Sequence, residues 1–289
     1  MVVAWSSGFV GMRFSINHAP VFLVMFWRCV VLGALLLPFV VGELRRTPVR
    51  MALQQSGIGL LAIAAYLAGV SRGIELGVPS GVAALIADLL PMGTALVAAV
   101  ALRERLSRQV WVGLAVGLAG VLLVTHNALA IGRAPARAYL MPLLGMLALA
   151  VATLWQQRSA ASRAVSPLTS LWLQCVASGP VFAVLQGGRG DLLPIASTGF
   201  AASVAWSAGL STLGGYGLYW VCLRRATPTH VASVLYLSPA VTMLWAWAMF
   251  AEPLSWIMLA GTAVSGVGIL LVIKNEARGS GEMVRTLHN

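Results

Sequence analysis

The sequence predicts an all-α integral membrane protein, ten transmembrane helices arranged as two inverted five-helix repeats. Three observations lead there. Of 289 residues, 59% are hydrophobic and only 9% are charged, whereas a soluble domain carries about 25% charged residues. So few charges cannot coat a water-facing surface, and lipid must cover most of this one. Second, the stretch Ser80–Val124 occurs twice. Shifted by 148 it falls on Pro228–Val272 without a gap, with 16 of 45 positions identical. Third, the arginines collect on one side once the apolar segments are counted.

A spanning helix needs about 20 apolar residues. Ten segments fit: Val2–Ile16, Pro20–Val41, Met51–Ile74, Pro79–Leu102, Val110–Thr125, Leu140–Gln156, Pro167–Leu185, Thr198–Val221, His230–Phe250 and Trp256–Ile273. Met1–Val10 lacks a basic n-region and a cleavage site, so it reads as the start of the first span and not as a signal peptide. Pro20, Pro48, Pro79, Pro167 and Pro228 punctuate the joints, since proline suits a first helical turn and disfavours helix before it. The longest loops are Asn127–Ala138 and Gly187–Gly199.

The repeat carries its weight in its less common residues. Pro91/Pro239, Thr94/Thr242, Glu104/Glu252, Ser107/Ser255, Gly113/Gly261 and Gly120/Gly268 all match. Each copy reads as an apolar helix holding a proline, then Glu-x-Leu-Ser, then a glycine-spaced apolar helix. The two halves are residues 1–127 and 138–276, followed by a tail at 277–289. Five helices per half make the second half enter from the opposite side, the arrangement of alternating-access carriers.

Orientation follows from the basic residues. With the N-terminus cytoplasmic, thirteen Lys and Arg fall inside, among them Arg45, Arg46, Arg103, Arg108, Arg158 and Lys274. Five fall outside: Arg13, Arg72, Arg133, Arg137 and Arg189. The positive-inside bias therefore puts both termini in the cytoplasm. The same bias accounts for the net charge of +11 better than nucleic acid does. Cys29, Cys175 and Cys222 lie within apolar runs, an odd number that argues against a disulfide framework.

The ten segments, the duplicated Pro…Glu-x-Leu-Ser…Gly…Gly block and Arg28 in the second helix resemble the EamA family of the drug/metabolite transporter superfamily. The resemblance spans nearly the whole chain. It implies export of small metabolites across a bacterial inner membrane, amino acids prominently and aromatic amino acids among them. It supplies no binding motif that transfers position by position, so candidate residues come from chemistry.

Asp88 lies mid-helix, three residues before Pro91. A charge at the bilayer centre costs about 2.5–3.5 kcal/mol on insertion scales, so either function or a buried partner must explain it. Arg28 is the partner within reach of the reading, and both alternatives stand. Its repeat mate is Tyr236, so no carboxylate is duplicated for a symmetric proton relay. Pro91 and Pro239 are expected to kink the fourth and ninth helices, either along a substrate path or in plain packing.

The aromatics divide by depth. Trp111, Trp172 and Trp256 sit near helix ends, as interfacial belt residues do. Tyr66, Tyr216, Trp220 and Tyr236 sit deeper, and Trp5 and Ser7 form a small polar and aromatic cluster in the first helix. With Asp88 and Trp155 they make the expected substrate-binding set, lining a cavity between the halves. Each aromatic alone has packing as its competing explanation. Ser107 and Ser255 read as helix N-caps, Arg72 and Glu75 as an i, i+3 pair, and Gly113-x3-Gly117 as a close helix contact within or between subunits.

His230, at a helix start, reads as an ordinary interfacial residue. The four histidines are scattered at segment ends, so no metal site has ligand spacing, no cofactor is expected, and enzyme chemistry ranks last. A channel or facilitator for small solutes is the competing class. A monomer with a small-molecule substrate, a lipid bilayer and no nucleic acid is the expected set of partners.

Overall fold

A computed structural model describes the chain apart from residues 102, 104–105, 131–133, 216–217, 219–221, 223–236 and 287–289. Side chains are described apart from these and 101, 127, 129–130, 163 and 272–286. The described residues are helical, with no strand among them. Among the described residues, six helices are long and apolar enough to cross a membrane, Val21–Leu44, Val49–Glu75, Ser80–Val100, Arg108–His126, Ala136–Arg158 and Pro167–Gly187, with a shorter apolar helix at Trp256–Leu271.

In chain order, α1 (Val2–Ile16) and α2 (Val21–Leu44) are joined at Pro20, which sits extended just before α2. Pro48 does the same for α3 (Val49–Gly59) and Pro79 for α5 (Ser80–Ala87). A proline has no N–H to leave unpaired there, and the residue before the helix needs no helical backbone. Pro228 lies outside the described residues.

The third apolar helix is not uniform. α3 and α4 (Tyr66–Glu75) are joined by a π-helical segment at Leu60–Ala65. The fourth is broken: α5 ends at Ala87, Asp88 and Leu89 form a turn, and α6 (Leu90–Ala101) begins anew. Pro91 is therefore the second residue of a fresh helix and not a mid-helix kink. Its ring removes the donor that would bond four residues back and crowds that carbonyl, so the helix stops and restarts with proline in its tolerated first turn.

α7 (Arg108–Ala130), α8 (Leu140–Arg158), the short α9 (Ala161–Ala164) and α10 (Pro167–Gly187) follow. Ser107 caps α7, its Oγ accepting from Val110 N–H at 3.3 Å, and Ser166 caps α10 through Thr169 N–H at 3.3 Å. α11 (Thr198–Ala205) runs into a second π-helical segment, Trp206–Gly214. α12 (Ser238–Phe250) has Pro239 in its first turn. Ser255 caps α13 (Trp256–Thr286), accepting from Met258 N–H at 3.2 Å.

α7 and α13 pack antiparallel along their glycines. A methyl on Gly120 would stand 2.5 Å from the Gly261 carbonyl oxygen, and one on Gly268 would meet Gly113 O at 2.6 Å. Backbones this close leave no room for a side chain, so the Gly113–Gly117 spacing serves contact within the chain.

Candidate functional site

Between these helices lies a cavity of about 90 Å³. Its first wall is α1, where Trp5, Gly8, Phe9 and Met12 follow at helical spacing. Opposite stand Ala62 and Ile63 of the first π-helical segment and, one turn on, Tyr66 and Leu67. Ser207 and Ser211 of the second π-helical segment complete the lining with Arg28 of α2.

The two π-helical segments explain how a bundle of apolar helices opens here. A π turn shifts the register by one residue, leaves carbonyls poorly matched and frequently marks functional sites. Thr212 repairs one of them, its hydroxyl donating to Ser207 O, five residues back, at 2.8 Å. α1 is laced to this segment. Ser7 Oγ lies 3.3 Å from Ser211 Oγ, Trp206 Nε1–H donates to Ser7 O at 3.0 Å, and Ser6 Oγ donates to Ser238 O at 3.1 Å.

Trp5 and Tyr66, expected from the sequence, line the cavity. Ser7 stands one layer behind, holding α1 against Ser211. Asp88 and Trp155 are not among the lining residues. Trp155 is 40% exposed and covers Gly57, where a methyl would meet its ring at 2.7 Å. Asp88 forms the turn between α5 and α6, its N–H donating to Ala84 O at 2.9 Å. Its Oδ2 is buried without a hydrogen bond, and it makes no ion pair with Arg28. Tyr216, Trp220, Tyr236 and His230 lie outside the described residues.

From sequence, Arg28 stands as part of the family resemblance and as a partner for Asp88. It is 7% exposed, its Nε is buried without an acceptor, and Nη1 reaches only Met25 Sδ at 3.8 Å. The available signal was its charge deep in an apolar helix. Trp172 was read as interfacial, yet its Nε1–H donates to Gly33 O at 2.8 Å and ties α10 to α2. Among the described residues no group of His, Cys, Asp or Glu could hold a metal ion.

A second, wider recess of about 400 Å³ opens among Arg13, Asn17, Glu75, Pro79 and Glu252. Glu252 is 7% exposed. Its Oε2 accepts from Ser80 N–H at 2.9 Å and Ser80 Oγ–H at 3.0 Å, and its Oε1 lies 3.4 Å from Arg13 Nε. A carboxylate on the first donors of α5 also meets the positive end of that helix dipole. Arg72 and Glu75 pair at 2.5 Å as expected, and Arg189 joins them at 3.1 Å.

The profile of the EamA-like transporter family matches residues 1–126 and again 136–274. The uncharacterized inner membrane transporter YedA of Escherichia coli (strain K12) is 26% identical over 279 residues, covering 94% of this chain and 88% of its own. A probable amino-acid metabolite efflux pump of Salmonella typhimurium is 24% identical, with 94% and 91% covered. A probable terminal-alkyne amino-acid exporter of Streptantibioticus cattleyicolor is 28% identical, with 94% and 90% covered. A solved crystal structure shares the fold at TM-score 0.59 and 18% identity, with 94% of each chain covered. The relatives are transporters and not enzymes, and the helices suit a multi-pass inner-membrane protein. With its two halves matched in turn, the chain belongs to the EamA-like transporter family.

Proposed function

We propose that this protein is a secondary transporter that exports small amphipathic metabolites, amino acids and aromatic amino acids first among them, by alternating access. The observation that carries the reading is the cavity between the two π-helical segments. Leu60–Ala65 shifted by 148 is 208–213, inside Trp206–Gly214. The site is thus built from equivalent stretches of both halves, where repeat-built carriers hold substrate.

Ten spans in two inverted five-helix repeats, residues 1–127 and 138–276, explain the α7–α13 seam. Gly120 meets Gly261 while Gly113 meets Gly268, and 261 and 268 are the repeat mates of 113 and 120. Each contact is the other's symmetry copy, as a two-fold axis requires. Because the helices run antiparallel, that axis lies across them, in the membrane plane. The expected topology follows: a tail at 277–289 and both termini in the cytoplasm.

The lining suits the cargo. Trp5, Phe9 and Tyr66 offer apolar and aromatic walls, Ser207 and Ser211 offer hydroxyls, and Tyr216, Trp220 and Tyr236 extend the proposed set. A cavity of about 90 Å³ falls well short of the roughly 300–1,000 Å³ that drug-sized ligands occupy. Export as the direction draws on relatives named as an efflux pump and an exporter. Were transport coupled to protons, Asp88 would be the deep carboxylate to titrate, and its partnerless Oδ2 supports a functional role.

The test is efflux from proteoliposomes loaded with radiolabelled amino acids, with counterflow measured alongside. A carrier accelerates exchange when unlabelled substrate is present on the far side, whereas a channel only equilibrates. Tyr66→Ala should slow efflux with folded yield unchanged. Absence of any protein-dependent efflux across the panel would discard the amino-acid reading. Reporter fusions at Asn289 and in the Gly187–Gly199 loop should report opposite sides.

A further inference from the structure

We infer that Arg28 is the carboxylate-binding residue of the cavity, so that the site takes a monoanionic carboxylate carried on an apolar or aromatic body. The inference rests on the cavity being the substrate site proposed above. Among the described residues, Arg28 is a buried guanidinium without a counter-ion. Its Nε has no acceptor, Nη1 touches only a thioether, and Asp88 does not pair with it. Its sequence neighbour Cys29 is a buried free thiol. A buried charge left unpaired is among the costliest features a fold can hold, and within a membrane such residues mark binding sites by default.

What Arg28 does adjoin is the cavity it shares with Trp5, Tyr66, Ser207 and Ser211. A guanidinium is planar, always charged and presents a fork of donors that matches a carboxylate with two parallel hydrogen bonds. A ligand without a carboxylate would leave the charge as it stands. A ligand with a single carboxylate would neutralise it, lay its side chain against Trp5 and Tyr66, and leave the serine hydroxyls to accept from an amine. In a carrier this geometry also sets a rule of selection: the acid is recognised, and its amide, ester or decarboxylated amine is not.

The experiment uses full-length protein in lipid nanodiscs and equilibrium dialysis of radiolabelled pairs: L-phenylalanine, L-leucine and L-threonine, each against its own amide. In the wild type every acid that binds should do so roughly tenfold or more tighter than its amide, as hydrogen bonds to a charged group imply. Arg28→Gln should bring the pair to near parity, and Arg28→Lys, which keeps the charge and loses the fork, should fall between. A wild type with no preference for the acid in any pair overturns the inference, as does a folded Arg28→Gln that keeps the full preference. Where Arg28→Gln yields no folded protein, the wild-type pairs and Arg28→Lys decide. Acid-selective binding without efflux would remove the transport reading and leave the Arg28 assignment standing.

Discussion

Arg103 in the first half and Ala251 in the second stand 148 residues apart, and both take the left-handed backbone, with φ of 54° and 50°. Ser107 and Ser255 cap the helices that follow, Pro91 and Pro239 sit in the first turns of α6 and α12, and each half carries a π-helical segment. Arg28 and Asp88 do not match in this way. Arg28 shifted by 148 is Val176, and Asp88 shifted likewise is Tyr236. Glu252 binds Ser80 and Arg13, while its mate Glu104 lies outside the described residues. The comparison separates two demands. Turns, caps and seams recur in both halves, because each half is matched in turn by the same family profile and shares its local frame. A small substrate has one polar end, so one half suffices to hold the cation for it.

The largest effect should come from breaking what the halves share. Gly120→Leu and its mate Gly268→Leu each force a side chain into the opposing backbone, and overpacking of this kind costs about 3 kcal/mol or more. Both should abolish monodisperse protein on size-exclusion chromatography. Gly266→Leu, at a position with open space beside it, should leave the yield intact. Unequal damage from Gly120→Leu and Gly268→Leu would count against a symmetric seam.

Next comes Glu252, the carboxylate on the start of α5. Glu252→Ala leaves the Ser80 N–H and hydroxyl and Arg13 without their acceptor, a loss of about 1.5–3 kcal/mol for bonds to a charged group. The melting temperature in detergent should drop. A larger drop than that of Glu75→Ala is expected, because Glu75 is the more exposed of the two carboxylates and surface pairs contribute about 0–1 kcal/mol. Equal drops would mean that the cap on α5 adds nothing.

The smallest effect concerns the paired left-handed residues. A non-glycine there is disfavoured by about 1–2 kcal/mol, offset in part by the freedom glycine gains when unfolded. Ala251→Gly and Arg103→Gly should each raise the melting temperature slightly. A fall at either position would show that its turn is not left-handed in the membrane.

The membrane class, the repeat, its register and the family were legible in the sequence, because each depends on composition or on spacing along the chain. Proline at the joints and serine at the caps were legible for a local reason: their effect is confined to the turn they occupy. Depth could also be read, since 1.5 Å per residue converts position into distance along a helix. That placed Arg28, Asp88, Trp5 and Tyr66 inside an apolar bundle. Which of them meet was a different matter. Depth says nothing about the direction a side chain faces, and a π turn rotates everything after it by an amount no apolar pattern announces. Tertiary packing alone therefore brought Trp5, Tyr66, Arg28, Ser207 and Ser211 to one cavity, left Asp88 and Trp155 off its wall, and turned the repeated glycines toward each other within a single chain.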